Sequence, residues 1–293
     1  MSQPLVWLIT GSTSGFGAAI TKAALARGDK VIATARNPSK PEMSSLVSLG
    51  ASPLALDITG SDSTITSAIT SAISLHGRID ILLNNAAYIL EGAIEEASHE
   101  EVLAQFNTNV FGQLAMVRAV LPYMRAQRSG VVAFMGSMGG WGGMVNGGLY
   151  CSTKFTIAGI AEALKLETKH LGIDVTCIEP GYFRTSFLSG GHRVQVGKRI
   201  GDLDEVTEGV RKAFDRVDRN QPGDPEKGAR VIVEALTKSG RCEGRGELPT
   251  RLLVGSDAVE YVEKALEKGR RELEEWRELS ETTDCDDVVK GQR

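Results

Sequence analysis

Residues 5–17 read Leu5-Val6-Trp7-Leu8-Ile9-Thr10-Gly11-Ser12-Thr13-Ser14-Gly15-Phe16-Gly17, and their order decides the fold. Residues 5–10 form an apolar run of strand length. The glycine-rich stretch follows at once. Ala18, Ala19, Ile20, Ala23, Ala24 and Leu25 then continue with helical character up to Gly28, a helix stop. Strand, glycine turn and helix, in that order, give a dinucleotide-binding reading to a pattern that would otherwise be a flexible loop. Gly11 permits the sharp turn, Gly15 close approach to a pyrophosphate, and Gly17 close packing of helix on sheet. The helix N-terminus receives the negative charge.

Outward from this turn, strands and helices alternate. Residues 30–35 and 53–56 read as the second and third strands, the latter ending at Asp57. Residues 61–76 read as a helix and 79–83 as a buried strand. A long helical pattern over 98–125 begins at a cap on Ser98. Residues 131–135 are a strand, 149–171 a helix, and 173–178 a sixth strand that stops before Pro180-Gly181. This alternation predicts an α/β, single-domain, Rossmann-like doubly wound parallel sheet with helices on both faces. In such sheets ligands bind at the carboxyl ends of the strands. Ser12, Asp57, Asn84, Ser137 and Pro180 all follow predicted strands on that edge.

Tyr150 and Lys154 lie four apart, thirteen residues after Ser137. On a helix that spacing shares one face and puts a phenol beside an ammonium group. A free tyrosine titrates near pH ~10. A neighbouring positive charge is expected to lower that value and make the proton available for chemistry. A serine hydroxyl from another element would hold the reacting oxygen. Alone the Tyr-x-x-x-Lys spacing is common on helix surfaces; downstream of a dinucleotide turn it acquires a partner.

Together these residues resemble the classical short-chain dehydrogenase/reductase family over roughly residues 5–185. Residues 10–17 match its Thr-Gly-x-x-x-Gly-x-Gly turn, and Asp57 its adenine-side aspartate. Asn84-Asn85-Ala86-Ala87 is similar to Asn-Asn-Ala-Gly, with Ala87 departing from the pattern. Asn109, Ser137, Tyr150 and Lys154 match the catalytic tetrad. Residues 180–185, including Pro180, Gly181 and Thr185, match a segment near the nicotinamide. The resemblance implies hydride transfer between a nicotinamide and a carbonyl or alcohol carbon, with Tyr150 as proton donor and Ser137 on the same oxygen. It also implies that Lys154 binds the ribose and that Asn109 holds a water linking Lys154 to solvent. Gly11, Ser12, Ser14, Gly15, Phe16, Gly17, Arg36, Asp57, Asn84, Tyr150 and Lys154 are the expected cofactor-binding residues, with the 180–185 segment. The long C-terminal part is similar to the hydroxysteroid-dehydrogenase-like branch, whose substrates are bulky ketones.

The second strand ends Thr34-Ala35-Arg36-Asn37 without the carboxylate that usually binds the ribose hydroxyls of NAD. Arg36 suits a 2′-phosphate instead, which predicts NADP(H). Trp141, Met144, Tyr182 and Phe187 are the expected substrate walls. Residues 182–225 are read as a substrate lobe, punctuated by Gly190, Gly191 and Gly197. Residues 257–279, capped by Ser256, read as a C-terminal helix followed by an acidic tail.

Composition bounds the partners. With 293 residues, 42% of them hydrophobic, the chain can bury a large core. A formal charge of −4 gives no footprint for nucleic acid. No apolar run reaches membrane-span length, and the four cysteines lack metal-ligand spacing. The expectations are a small-molecule substrate, no metal, a cytoplasmic location and a homodimer or homotetramer built on the two long central helices. Two other classes share the pattern: a catalytically silent NADP-binding sensor or scaffold, and an epimerase or dehydratase of the same fold. A serine hydrolase does not, because there is no Gly-x-Ser-x-Gly elbow.

Overall fold

The computed structural model describes residues 3–189 and 191–285; Gly190 and the acidic tail beyond Cys285 lie outside the described residues. The first half of the chain runs β1 (Val6–Ile9), α1 (Gly15–Ala26), β2 (Lys30–Ala35), α2 (Pro41–Val47), β3 (Ser52–Ala55), α3 (Asp62–His76), β4 (Ile81–Asn84), β5 (Ile89–Glu91), α4 (His99–Phe106) and α5 (Gly112–Gln127). It continues with β6 (Gly130–Met135), α6 (Gly148–Thr168), β7 (Ile173–Pro180), β8 (Arg193–Gln195), α7 (Asp204–Val217), α8 (Pro225–Leu236), β9 (Arg251–Val254) and α9 (Ser256–Ser280).

Seven strands form one parallel sheet in the order β3-β2-β1-β4-β6-β7-β9. The period-2 side-chain alternation of a strand sorts its residues between two cores. Val6 and Leu8 join α3, α5 and α6 through Ile65, Ile69, Met116, Val120, Ile157 and Ala161 on one face. Trp7 and Ile9 join α1 and α8 through Ile20, Ala24, Ile232 and Leu236 on the other. The strand order reverses between β1 and β4, which opens the crevice at their carboxyl ends.

The long helix expected over 98–125 is two helices. Ser98 caps α4 as expected, and Glu101 closes the capping box. A π-helical turn, Asn107–Phe111, then separates α4 from α5. That wider turn carries Asn109, fully buried. Ser256 is the first residue of α9 rather than its cap; Gly255, at φ +108°, precedes it.

Several elements had no specific sequence reading, among them α2. The charged stretch before Asp224 contains α7, which buries Thr207, Arg211 and Phe214 at helical spacing. Asp224 caps α8, accepting from the N–H groups of Glu226 and Lys227, with Pro225 in the first turn. The three-residue strands β5 and β8 form a separate parallel pair. Among the described residues, no helix is long and apolar enough to cross a membrane.

Candidate active site

The crevice at the strand ends is a cavity of about 740 Å³. Its nucleotide half is set by the glycine turn. Gly11 adopts φ +64° and Gly15 φ +51°, both in the left-handed region that disfavours a Cβ. A Cβ on Gly17 would overlap the Gly11 carbonyl and stand 2.6 Å from Asn85 Nδ2. Gly17 therefore lies against the turn, outside the cavity lining, and lets α1 approach. Asn85 ties the turn together: its Nδ2 donates to the carbonyls of Thr10 and Gly11 at 2.9 and 3.0 Å. Thr10 Oγ1 accepts from the N–H groups of Asn85 and Ala86.

Ser14 precedes α1 in extended conformation and makes no side-chain cap bond, and no acid occupies the first turn. Helix N–H groups not taken by a cap are free to receive an anion. With the glycines that leave the turn open, this donor set fits a dinucleotide pyrophosphate. Ser14, Gly15 and Phe16 line the cavity; Ser12 does not. The Ser12 hydroxyl donates to Ile9 O at 2.8 Å and accepts from Thr34 N at 3.1 Å, so it joins β1 to β2. Asn84 is also outside the lining. Its amide is buried at the end of β4 without a hydrogen-bond partner, and the next residue, Asn85, faces the site.

Arg36 lies exposed at the cavity rim beyond β2, with Asp57 nearby. The Asp57 carboxylate accepts from Thr59 N and Thr59 Oγ1 at 2.9 and 2.7 Å. The Thr59 N–H, with help from its hydroxyl and from Arg36, holds the Asp57 carboxyl below its ordinary value against partial burial.

The floor of the cavity is built by β6 and α6. Ser137 begins a short turn after β6, and its Oγ accepts from Gly139 N at 3.0 Å. Tyr150 and Lys154 project from α6, both buried. Lys154 Nζ stands 5.4 Å from the centre of the Tyr150 ring and donates to Met135 O at 2.6 Å. Burial pushes the Tyr150 phenol up, opposed by a hydrogen bond with Ser137. This is the reverse of the lowering expected from the Tyr–Lys spacing: removal from water outweighs the Ser137 hydrogen bond. Burial also lowers Lys154, to about 8.

Asn109 supports the floor from behind. Its Oδ1 accepts from Tyr88 N at 3.1 Å, and its Nδ2 donates to Tyr88 O and to Thr153 Oγ1 at 2.9 and 3.2 Å. Both amide hydrogens are thus engaged between the Tyr88 segment and α6.

The half of the cavity away from the glycine turn is apolar. Met144, Tyr182, Phe187, Leu188, Val194 and Phe214 line it, and the Phe187 ring lies 5.8 Å from that of Tyr150. Trp141, an expected wall, points away. Its Nε1 donates to Glu179 at 2.7 Å, and Arg251 stacks on its ring at 3.7 Å while donating to the same Glu179.

Pro180, Gly181 and Thr185 line the cavity where β7 ends. Gly181 is required there because Asp257 of α9 occupies the place of a Cβ, its Oδ2 accepting from Tyr182 N at 2.7 Å. His192 bonds Ser14 Oγ through Nε2 at 3.1 Å and stacks on Phe187, joining the two halves. Asn85 lies in the Asn84-Asn85-Ala86-Ala87 motif, a signal that could have found it although only Asn84 was named; Asp257 became visible only as the neighbour of Gly181.

A parallel α/β sheet with an open glycine turn at its switch point, and Ser137, Tyr150 and Lys154 on the floor below it, defines a dinucleotide-dependent oxidoreductase class. The short chain dehydrogenase family model matches residues 5–192, and the chain belongs to that family. It is 36% identical over 283 residues to Oxidoreductase BOA17 of Botryotinia fuckeliana, covering 94% of this chain and 97% of that protein. It is 41% identical over 186 residues to 3-ketodihydrosphingosine reductase of Bacteroides thetaiotaomicron, covering 63% and 66%. The crystal structure of a short-chain dehydrogenase from Streptomyces avermitilis superposes with a TM-score of 0.87 at 35% identity, covering 97% of this chain and all of that one.

Proposed function

We propose that this protein is an NADP(H)-dependent oxidoreductase that reduces the ketone or aldehyde of a bulky, mostly apolar small molecule, or oxidises the corresponding secondary alcohol. The observation that carries this reading is the meeting of Ser137, Tyr150 and Lys154 where the nucleotide half joins the apolar half. The cofactor, when bound, supplies or takes the hydride.

The upward shift keeps the Tyr150 phenol protonated at neutral pH, the form that donates to the developing alkoxide in reduction. Ser137 Oγ already accepts from Gly139 N, which leaves its hydrogen for the Tyr150 oxygen or the substrate oxygen. Lys154, titrating near 8, is mostly cationic at neutral pH and holds positive charge beside the phenol. In oxidation the same groups act in reverse, Tyr150 receiving the proton.

NADP(H) rather than NAD(H) is favoured because Arg36 stands at the rim beyond β2 and no carboxylate occupies that strand end. A guanidinium there meets a 2′-phosphate with charge-assisted hydrogen bonds. One observation favours a mostly apolar substrate: the charged residues lining the cavity, Arg36, Asp57 and Lys154, lie on the nucleotide side and the floor. Exposed Leu103, Phe111, Phe155 and Leu166 on and between α4 and α6 support a homodimer or homotetramer built on the central helices. We read its location as cytoplasmic.

The deciding experiment compares NADPH and NADH binding, then follows NADPH oxidation across a panel of neutral ketones with wild type, Arg36→Ala and Tyr150→Phe. Loss of the charged contacts in Arg36→Ala should weaken NADPH binding about 10–100-fold and leave NADH binding unchanged. Tyr150→Phe should lower kcat about 10²–10⁴-fold with NADPH binding intact. Full activity in Tyr150→Phe would remove the proposed donor, and tighter NADH binding by wild type would remove the Arg36 argument.

A further inference from the structure

The substrate half of the cavity is held by a charge cluster that takes no part in hydride transfer. Glu91, at the end of β5, is fully buried. Its carboxylate accepts from Arg193 Nε at 2.6 Å and from Arg193 Nη2 at 3.0 Å, a two-pronged pair across the β5–β8 ladder. Gln195 Nε2 adds a third contact at 3.3 Å. Arg211 of α7 approaches the same carboxylate, with Nε 3.5 Å from Oε1, and reaches the buried Glu96 at 3.6 Å. Glu96 in turn accepts from the backbone N–H groups of Ala93 and Ile200. Arg193 also binds Asp215 at 2.6 Å, and its guanidinium lies 5.4 Å from the centre of the Phe214 ring.

Three of the residues set by this cluster, Ile89, Val194 and Phe214, line the cavity. They come from β5, β8 and α7, elements that share no ladder with the main sheet. Buried ion pairs add little net stability compared with apolar packing, yet removing one partner leaves an uncompensated charge. A fully buried carboxylate meeting two arginines from two different elements therefore fixes geometry more than it stabilises the fold. The two guanidinium charges beside this otherwise apolar wall are met by Glu91 together with Glu96 and Asp215.

We infer that Glu91 is a positioning and specificity-determining residue: acting through Arg193 and Arg211, it sets the wall formed by Val194 and Phe214, so that the site selects bulky, apolar carbonyl compounds that fill it. This rests on the proposed carbonyl chemistry for its substrate, but the wall itself is measurable without turnover.

The test uses Glu91→Gln, which keeps shape and loses charge, in the full-length protein. Hydrogen exchange should rise at least tenfold across residues 193–217 and stay unchanged across residues 11–17, with NADPH affinity preserved. KM for a bulky neutral ketone should rise about tenfold while kcat stays within about twofold, and the preference for that ketone over a keto acid of the same skeleton should shrink. Arg193→Gln, which leaves Glu91 paired with Arg211, serves where Glu91→Gln does not fold and should give the same local loosening. Unchanged exchange in 193–217, or a uniform rise over the whole chain, would overturn the inference. If wild type reduced no ketone, the carbonyl reading would fall while the exchange result still decided the role of Glu91.

Discussion

Lys154 stands over the face of the Tyr150 ring, 5.4 Å from its centre, with its ammonium bound to the Met135 carbonyl. Both groups are buried and both titrate away from their ordinary values, the lysine down to about 8 and the phenol up.

Stability should therefore depend on pH through Lys154. Between pH 8 and 10.5 the unfolded chain holds a proton on this lysine that the folded chain has released. Stability then rises with pH across that window, by up to roughly 3 kcal/mol from this one group. The raised Tyr150 acts in the opposite direction only above pH ~10. Denaturant melts of wild type and Lys154→Met from pH 7 to 10 should show the difference shifting toward wild type as pH rises. A flat difference would refute the assignment.

Gly17→Ala should disable the cofactor turn. The added methyl overlaps the Gly11 carbonyl and crowds Asn85 Nδ2, whose two bonds hold the turn. Something must shift, at about 1–3 kcal/mol for overpacking. Titration calorimetry should show NADPH affinity falling about tenfold or more, in line with the same energy. Native affinity in this variant would mean that the turn is looser than its contacts indicate.

Asn109→Ala removes the acceptor of the Tyr88 N–H; the Tyr88 carbonyl keeps Gln105 Nε2 at 2.9 Å. One half-buried donor left unpaired costs about 1–3 kcal/mol. Thermal melts should show that loss, and kcat should fall with it because the same amide braces Thr153, between Tyr150 and Lys154. Loss of stability with unchanged kcat would confine Asn109 to the fold.

Trp141→Phe separates a wall residue from a brace. The indole faces Glu179 and Arg251, not the cavity. KM for any bulky ketone should stay within about twofold, while stability falls about 1 kcal/mol with the lost hydrogen bond. A large rise in KM would return Trp141 to the substrate wall.

Strand positions were legible because short apolar runs in a parallel sheet are buried on both faces and bounded by turn residues. β2 has the limits that residues 30–35 suggested, and the glycine turn read correctly because backbone conformation there admits few residue types. Legibility failed where a side chain chooses between distant partners. Trp141 turns toward Glu179, 38 residues away, and nothing local to Trp141 announces that. Asn84 and Asn85 are chemically identical neighbours, and only the end of β4 decides which one faces the site. The sign of the Tyr150 shift also escaped, since spacing reports the nearby cation but not the extent of burial. The β5–β8 pair was too short to carry a periodic signal.

That pair joins Glu91 to Arg193, 102 positions further along the chain. Closing so long a loop costs entropy that is repaid only once the sheet between is in place. The ladder is thus among the last connections made as the chain folds, and among the first lost under mild denaturation. On the reading proposed above, the molecule would have two grades of intactness: a chain that has shed the β8–α7 wall would keep the glycine turn that holds a nucleotide and lose the surface that sorts the compounds offered to it.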